Sequence, residues 1–483
     1  MAVTIMISGL HLTIAELVVV LASAVLVLAR WLPPAARRRT AAGAAAVAIA
    51  GAAGTLPGTR WQILLVLGAD LLVGAAAAGV WLLDRRAGRS GRRTRWWLAL
   101  PGSLLCAALV VGGTVAAWAL PVPSFPRLSG PSAVGTTVLQ WTDPARDEPA
   151  TPDPADRRTV VVQLWYPAGK VAREAPRAQY LGRTRREADT VAAAVAGYLG
   201  APGLLFDGPT RSRSHAVPGA APAAGRFPVV LFSPGLGGVR TQNTAWAEDL
   251  ASRGYLVAGV DHPYDSAAVV LADGRTVGTR IAAGGDPDED DRRRISWATV
   301  RAADLSFVLT QLGRLDSGAA AGTFTGRLDT GHAAVTGHSL GGAAAMRAAA
   351  RDQRFLAVIN LDGGVTSDQL PLRQPVLVLT HQVRDQADAG YVARVTRVLD
   401  GGRGPGYRLS VPGSAHLSFT DAPLYLPPVP ALVGSLGRSE SVRMTTATSA
   451  AFLDATLSGH ATGLPATLAE YGDLSVRGSA AAR

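Results

Sequence analysis

Apolar positions fall into two regimes along this chain. Up to about residue 120 they form four long runs, Leu12–Ala29, Ala41–Leu56, Ile63–Leu83 and Trp96–Leu120, separated by short polar segments. Farther on, short β-branched runs alternate with stretches of helical periodicity. The strand candidates are Thr159–Trp165, Pro228–Phe232, Tyr255–Val260, Ala333–Thr336, Leu356–Leu361, Pro375–Thr380 and Tyr407–Val411. Helices are predicted near Thr241–Arg253, Ser296–Leu312, Gly341–Arg351, Tyr391–Leu399 and Thr445–Leu457. Such alternation predicts an α/β fold built on a mostly parallel sheet with helices on both faces. Several strand runs are apolar throughout, as strands covered on both sides must be.

The first regime predicts membrane spans. A crossing helix needs about 20 apolar residues, which the first, third and fourth runs satisfy. The second run is short and dominated by Ala and Gly. Charge placement decides for it. Arg30 and Arg37–Arg39 fill the first loop, Arg85, Arg86, Arg89, Arg92, Arg93 and Arg95 the third, and only Arg60 the loop between runs two and three. Basic residues accumulate on the cytoplasmic side, so both Arg-rich loops are cytoplasmic if the second run also crosses. Everything after Leu120 then lies outside the cell membrane, which the chain spans several times. Glu16 and Asp70 fall inside runs, where a carboxylate is either functional or paired within the bundle.

The same count removes a class of partner. The formal charge is +11, but residues 1–120 hold eleven Arg against Glu16, Asp70 and Asp84, a net +8. The excess is therefore membrane topology rather than a basic groove, and no nucleic-acid partner is expected. Cys106 is the single cysteine, which excludes an intrachain disulfide and a thiolate metal cluster. The domain plan is a membrane region 1–120, a Pro-rich linker 121–158, a catalytic domain 159–465 and a tail 466–483. Residues 170–225 break the alternation. They hold one helical run, Glu187–Leu199, and form either a cap or an insertion.

Candidate chemistry sits at the strand ends. Residues 332–343 read HAAVTGHSLGGA, an apolar strand running through Gly337-His338-Ser339-Leu340-Gly341 into a small-residue helix. This is G-x-S-x-G in its strand–turn–helix setting, with Ser339 as nucleophile at a helix N-terminus. Glycines flank it because a side chain there would collide with the neighbouring backbone. His338 is expected to pack behind the serine. A second strand ends in Ser233-Pro234-Gly235-Leu236-Gly237-Gly238, a turn able to aim an amide at an oxyanion. Leu236 and Leu340 are the expected donors.

A serine nucleophile requires a base and an orienting acid, in the order Ser, acid, His for this fold. His381 ends a strand and His460 lies beyond the last helix. His416 lies in the loop after the last strand candidate, where the base belongs. For the acid, Asp362 and Asp385 both follow strands, and spacing alone leaves both open. The acidic run Asp286–Asp291 is expected to be a solvated loop. Arg183, Arg185 and Arg186 are expected to start a solvated helix.

The ordered set of blocks resembles the platelet-activating factor acetylhydrolase family, the secreted and cytosolic α/β-hydrolase type. The blocks are LWYP at Leu164–Pro167, FPVVLFSPGLGGVR at Phe227–Arg240, LASRGYLVAGVDH at Leu250–His262, RAADLSFVLTQL at Arg301–Leu312, the stretch Gly337–Phe355, Asn360–Asp362 and Gly413–His416. The likeness covers about residues 120 to 460. It implies a triad of Ser339, Asp362 and His416, no metal or other cofactor, and hydrolysis of short or oxidised acyl chains from phospholipids. Two departures stand out: Pro234 replaces the family's usual histidine before Gly-Leu-Gly, and four N-terminal runs have no counterpart in its well-known members. Triglyceride and polyester hydrolases of cutinase type are the alternative and favour the later acid, Asp385. A non-catalytic membrane scaffold and a transporter with an attached domain are competing classes.

Overall fold

The computed structural model describes residues 6–7, 11–86, 96–282, 284–320, 322–459 and 463–478. They divide into two compact units, Met1–Val122 and Pro123–Arg483.

The first unit is helical: α1 Ile14–Ala29, α2 Pro34–Thr55, α3 Trp61–Arg86 and α4 Trp96–Ala119. Three helical stretches, Ala36–Gly58, Trp61–Arg86 and Ala99–Ala119, are long and apolar enough to cross a membrane. The second run, which charge placement favoured, is thus also long enough, and it is the first that falls short. α1 has 16 residues, about 24 Å at 1.5 Å per residue, short of a hydrocarbon core of about 30 Å. The Ala-rich second run lies within the 22-residue α2, because Arg37–Thr40 continue its helix instead of forming a loop. The two carboxylates inside the apolar runs, Glu16 and Asp70, both have partners. Glu16 caps α1 in a capping box with Thr13, and its Oε1 lies 2.7 Å from Arg60 Nε, with both side chains buried. Ser23 Oγ donates to Asp70 at 2.9 Å. These contacts match the pairing reading of both acids. Arg89, Arg92, Arg93 and Arg95 lie outside the described residues.

The second unit is organised by a ten-stranded sheet. Its strands are β1 Ala133–Asp147, β2 Arg157–Ala168, β3 Val217–Pro218, β4 Phe227–Ser233, β5 Leu256–Asp261, β6 Leu328–His338, β7 Phe355–Leu361, β8 Val376–His381, β9 Gly406–Val411 and β10 Asp473–Arg477. The spatial order is β10-β9-β8-β7-β6-β4-β5-β2-β1-β3. From β5 through β9 every pairing is parallel, while β2 and β10 join antiparallel at either side. Buried side chains fill both faces. Val229, Leu231, Val335 and Val358 point to one, Val230, Phe232, Ala334 and Ile359 to the other. This alternation along uniformly apolar strands is what coverage on both sides produces.

Two boundaries need correction. The expected linker contains β1, which pairs with β2 over its length. It is half-exposed and carries Thr, Gln and Asp, so its apolar signal is weak. The expected tail contains β10, a short half-buried edge strand on β9. The segment 170–225 has a small core of its own. Tyr180, Leu181, Val191 and Phe206 pack with Val239 and Leu424 around the helix α5, Arg185–Tyr198. Tyr198 occupies the space a side chain at Gly237 would need. The segment thus braces the loop after β4, which leads into the helix α6, Thr244–Ser252, and contributes no residue to the lining of the cavity described below.

Asp286–Asp291 is not a loop but the first turns of the long helix α7, Pro287–Asp316. Asp286 caps it by accepting from Glu289 N at 2.8 Å. Carboxylates are favoured at this end by the helix dipole. Arg183 binds Glu187 and the carbonyls of Val270 and Leu271 instead of facing solvent alone.

Candidate active site

β6 delivers Ser339 into a tight turn before α8, Leu340–Arg351. Ser339 has φ 54 and ψ −121, a conformation costly for a residue with a side chain. The flanking glycines permit it. A Cβ on Gly341 would strike the carbonyl oxygens of Ser233 and Pro234, and one on Gly337 would strike Gly341. Strain at the serine is held by β7, since Ser339 N donates to Leu361 O at 3.1 Å. Leu340 opens α8, so its N–H has no carbonyl one turn earlier to bind.

The other groups come from neighbouring strand ends. Asp362 follows β7, also with positive φ (52), and is 3% exposed. His416 lies in the loop after β9, and its Nδ1 is 2.7 Å from Asp362 Oδ2. Ser339, Leu340, Leu236, Asp362 and His416 all line one cavity of about 890 Å³. Its remaining walls include Trp297, Val365, Leu370, Tyr391, Arg394 and Arg397. Asp385 is elsewhere. It is exposed and caps the helix α9, Gln386–Asp400, by accepting from Asp388 N at 2.9 Å. His460 lies outside the described residues.

A second imidazole meets the acid. His381, at the end of β8, reaches both Asp362 oxygens from Nδ1 at 2.8 and 2.7 Å, and its backbone N–H donates to Oδ1 at 3.0 Å. Its Nε2 is 2.9 Å from Asp388 Oδ1. With a carboxylate on each nitrogen, both must donate, which describes an imidazolium. The hydrogen bond to Asp362, aided by Asp388 and opposed by partial burial, pushes His381 up to about 9. Burial alone would raise the Asp362 carboxyl, but hydrogen bonds from His381 and His416 hold it well below the usual carboxylate range. The sequence marked His381 only as a strand-end histidine. Nothing in it reports that β8 sits beside β7.

Behind Ser339 a chain of hydrogen bonds joins the loop after β4, the end of β6 and the segment after β9. Gly235 N donates to Gln242 Oε1 at 2.9 Å, Gln242 Nε2 meets His338 Nδ1 at 2.8 Å, and His338 Nε2 meets His416 O at 3.0 Å. This pattern requires a neutral His338 protonated on Nε2, and burial, with His416 nearby, pushes its pKa down to about 3. His338 therefore packs behind the serine as expected, but Gln242 went unnoticed.

The turn after β4 is held from below. The buried Arg301 on α7 donates to Gly235 O at 3.0 Å and to Pro234 O, and its Nε lies 2.5 Å from Asp265 Oδ2. Nearby, Ser233 Oγ is 3.0 Å from His262 Nε2, and His262 Nδ1 is 2.7 Å from Asp304 Oδ2. This set has the connectivity of a triad, but all three residues are fully buried. It is an anchor for the turn, with Asp304 further tied to Arg158 at 2.6 Å. The carbonyls of residues 234 and 235 are thus bound by Arg301, and the next residue, Leu236, lines the cavity.

Comparison with known proteins follows the same lines. The profile of "Platelet-activating factor acetylhydrolase, isoform II" matches residues 121–462. The chain belongs to that family. Within it, a "Probable 1-alkyl-2-acetylglycerophosphocholine esterase" of Arthroderma benhamiae is 32% identical over 143 residues, 29% of this chain and 33% of that protein. A platelet-activating factor acetylhydrolase of Gallus gallus is 25% identical over 249 residues, 44% of this chain and 56% of that one. The chain thus spans a third to just over half of these relatives' lengths. Among solved structures, a ferulic acid esterase from Streptomyces cinnamoneus superposes with a TM-score of 0.58 at 31% identity, covering 70% of this chain and 94% of that one. The α/β-hydrolase fold expected for this acetylhydrolase family member is therefore present.

Proposed function

We propose that this protein is a membrane-anchored serine esterase. Ser339 is the nucleophile, His416 the general base, Asp362 its orienting acid, and the amides of Leu236 and Leu340 the oxyanion donors. The observation that carries this is the His416 Nδ1–Asp362 Oδ2 bond of 2.7 Å in the cavity that Ser339 also lines. Asp362 occupies Nδ1, so Nε2 is the nitrogen free to take the serine proton. The serine oxygen attacks the ester carbonyl, and the tetrahedral oxyanion forms against the two amides. The imidazolium then protonates the leaving alcohol, and water, activated by the same base, releases the acid.

The substrate reading follows the family: lipid-like esters with short or modified acyl chains. A second acyl class has its own support. The ferulic acid esterase matches over far more of its length than the acetylhydrolases do, and Trp297 and Tyr391 supply aromatic walls for a ring. Cutinase-like action on triglycerides or polyesters is the remaining alternative. Labelling by a fluorophosphonate, lost in Ser339→Ala, tests the chemistry, and a folded protein that resists the probe would point to a scaffold. A panel of p-nitrophenyl esters of graded length, acetylated phospholipids and methyl ferulate then separates the acyl classes.

Placement follows from charge. α2, α3 and α4 are long enough to cross. With both Arg-rich segments cytoplasmic, the chain leaves α4 on the outer side whether or not the short α1 also spans. The catalytic unit is then extracytoplasmic. Esterase activity retained by residues 123–483 alone would mark the helices as an anchor rather than a transporter.

A further inference from the structure

The triad chemistry needs one imidazole on the acid, and this chain supplies two. We propose that Asp362, His381 and His416 form a binding site for a divalent transition-metal cation, Zn²⁺ being the fitting occupant, and that its occupation shuts off hydrolysis. Metal binding itself stands on geometry, and only the loss of activity rests on the esterase reading.

One oxygen of Asp362 and one nitrogen from each histidine lie within 4.8 Å of one another. Zinc holds imidazole nitrogen and carboxylate oxygen at about 2.0–2.2 Å in a tetrahedron, which sets donors about 3.3 Å apart. His381 Nδ1 and His416 Nδ1, each 2.7 Å from Asp362 Oδ2, need to open by about 0.6 Å from that oxygen, while the two nitrogens, within 4.8 Å of each other, settle to the same spacing. The His416 side chain is 45% exposed, opens the short 3₁₀ turn His416–Phe419 and lines the cavity, which also gives the ion its entry and leaves a position for water. Two nitrogens and one oxygen favour zinc-like ions over magnesium or calcium.

The outer contacts suit a metal as well. Asp388 Oδ1 binds His381 Nε2 at 2.9 Å, the carboxylate–histidine arrangement that fixes a metal ligand's tautomer and raises its basicity. Asp388 is itself held, with Arg384 N donating to its other oxygen at 3.0 Å. On coordination His381 releases its Nδ1 proton to solvent and keeps Nε2–H on Asp388. The consequence for His416 is a change of tautomer. Once Nδ1 carries the metal, the ring proton resides on Nε2, and that nitrogen can no longer accept a proton from Ser339.

The full-length protein in detergent tests this with Zn²⁺ and Co²⁺ as the probes. Hydrolysis of p-nitrophenyl acetate should fall at least tenfold on Zn²⁺ addition and return with a chelator. Ser339→Ala, which cannot turn over, should still bind Zn²⁺ by calorimetry and give Co²⁺ ligand-field bands of a four- or five-coordinate site. His381→Asn and Asp388→Asn should each weaken binding at least tenfold. Should His381→Asn not fold, Asp388→Asn carries the comparison. Absence of metal binding by Ser339→Ala, or the same affinity in both substituted proteins as in the parent, overturns the proposal. A parent that binds the metal but hydrolyses no ester would sink the esterase reading and leave the site standing.

Discussion

His338 Nε2 lies 3.0 Å from the backbone carbonyl of His416, so the residue before Ser339, the proposed nucleophile, holds the segment that carries His416, the proposed base. The two rings are also close, with centroids 4.5 Å apart. The bond from His338 is one of the ties of this segment, beside those of His416 to Asp362 and of Phe419 O to Asn243.

Replacing His338 by Leu should therefore slow catalysis without touching a reacting atom. A neutral hydrogen bond is worth about 0.5–1.5 kcal/mol, so kcat should fall up to about tenfold. Fluorophosphonate labelling of Ser339 should slow in parallel. His338→Gln, which can still donate to the His416 carbonyl, should recover part of the rate. Equal losses in both variants would show that packing, not the bond, is what matters.

The proposed acid, Asp362, and its rival Asp385 call for opposite outcomes on substitution. Asp362→Asn leaves the shape intact but removes the carboxylate that selects the His416 tautomer, and a loss near 10⁴-fold in kcat is expected. Asp385→Asn should leave kcat nearly unchanged. Asp385→Ala removes the α9 cap and should cost about 0.5–2 kcal/mol of stability. Measuring both kcat and thermal melting for each variant distinguishes the roles, and the opposite ranking in kcat would move the acid to Asp385.

The contrast between these two aspartates shows what could be read from the chain alone. The turn around Ser339 was legible because glycine spacing, strand and helix all lie in one continuous segment. His416 was legible for a similar reason, as the histidine in the loop after the last long apolar strand. Whether Asp362 or Asp385 faces it depends on where β7 and β8 end relative to β9, a lateral order that local pattern does not encode. His381 and Gln242 were missed because their roles exist only once separate strands and loops are adjacent. β1 and β10 escaped notice for a different cause: lying at or next to the margins of the sheet they are half-solvated, so their apolar alternation is diluted. The uneven length of α1 and α2 reflects helix propensity in an Ala-rich stretch, which outweighs hydropathy in setting where a helix begins.

Stability should depend on pH with a maximum near pH 6.5. Buried His338, held down to about 3, and buried His262, lowered by the same cause, stay neutral where the unfolded chain, with a histidine value of 6.5, takes up protons. Their contribution is complete above about pH 6.5 and is lost as pH falls below it, for His338 down to about 3 at up to about 1.4 kcal/mol per pH unit. His381, raised to about 9, acts with the opposite sign. Its contribution is complete below about pH 6.5 and is lost as pH rises through 9. Melting temperature measured across pH 4–10 checks both limbs. His381→Asn should flatten the alkaline one alone.

Arg301 provides the test of how the turn after β4 is held. Its guanidinium binds the carbonyls of Pro234 and Gly235 on one side and Asp265 on the other. A lysine at this position keeps the charge but cannot span both, because an ammonium lacks the planar fork of donors. With the carbonyls released, the Leu236 amide should lose its aim. Loss of one oxyanion donor costs about 100- to 1000-fold in rate, so Arg301→Lys should lower kcat toward that range while KM changes little. Arg301→Met instead leaves Asp265 without its partner and should destabilise the fold by about 3–5 kcal/mol. If Arg301→Lys keeps full kcat while melting lower, the arginine supports the fold alone, and the amide of Leu236 is oriented by the Gly235–Gln242 bond instead.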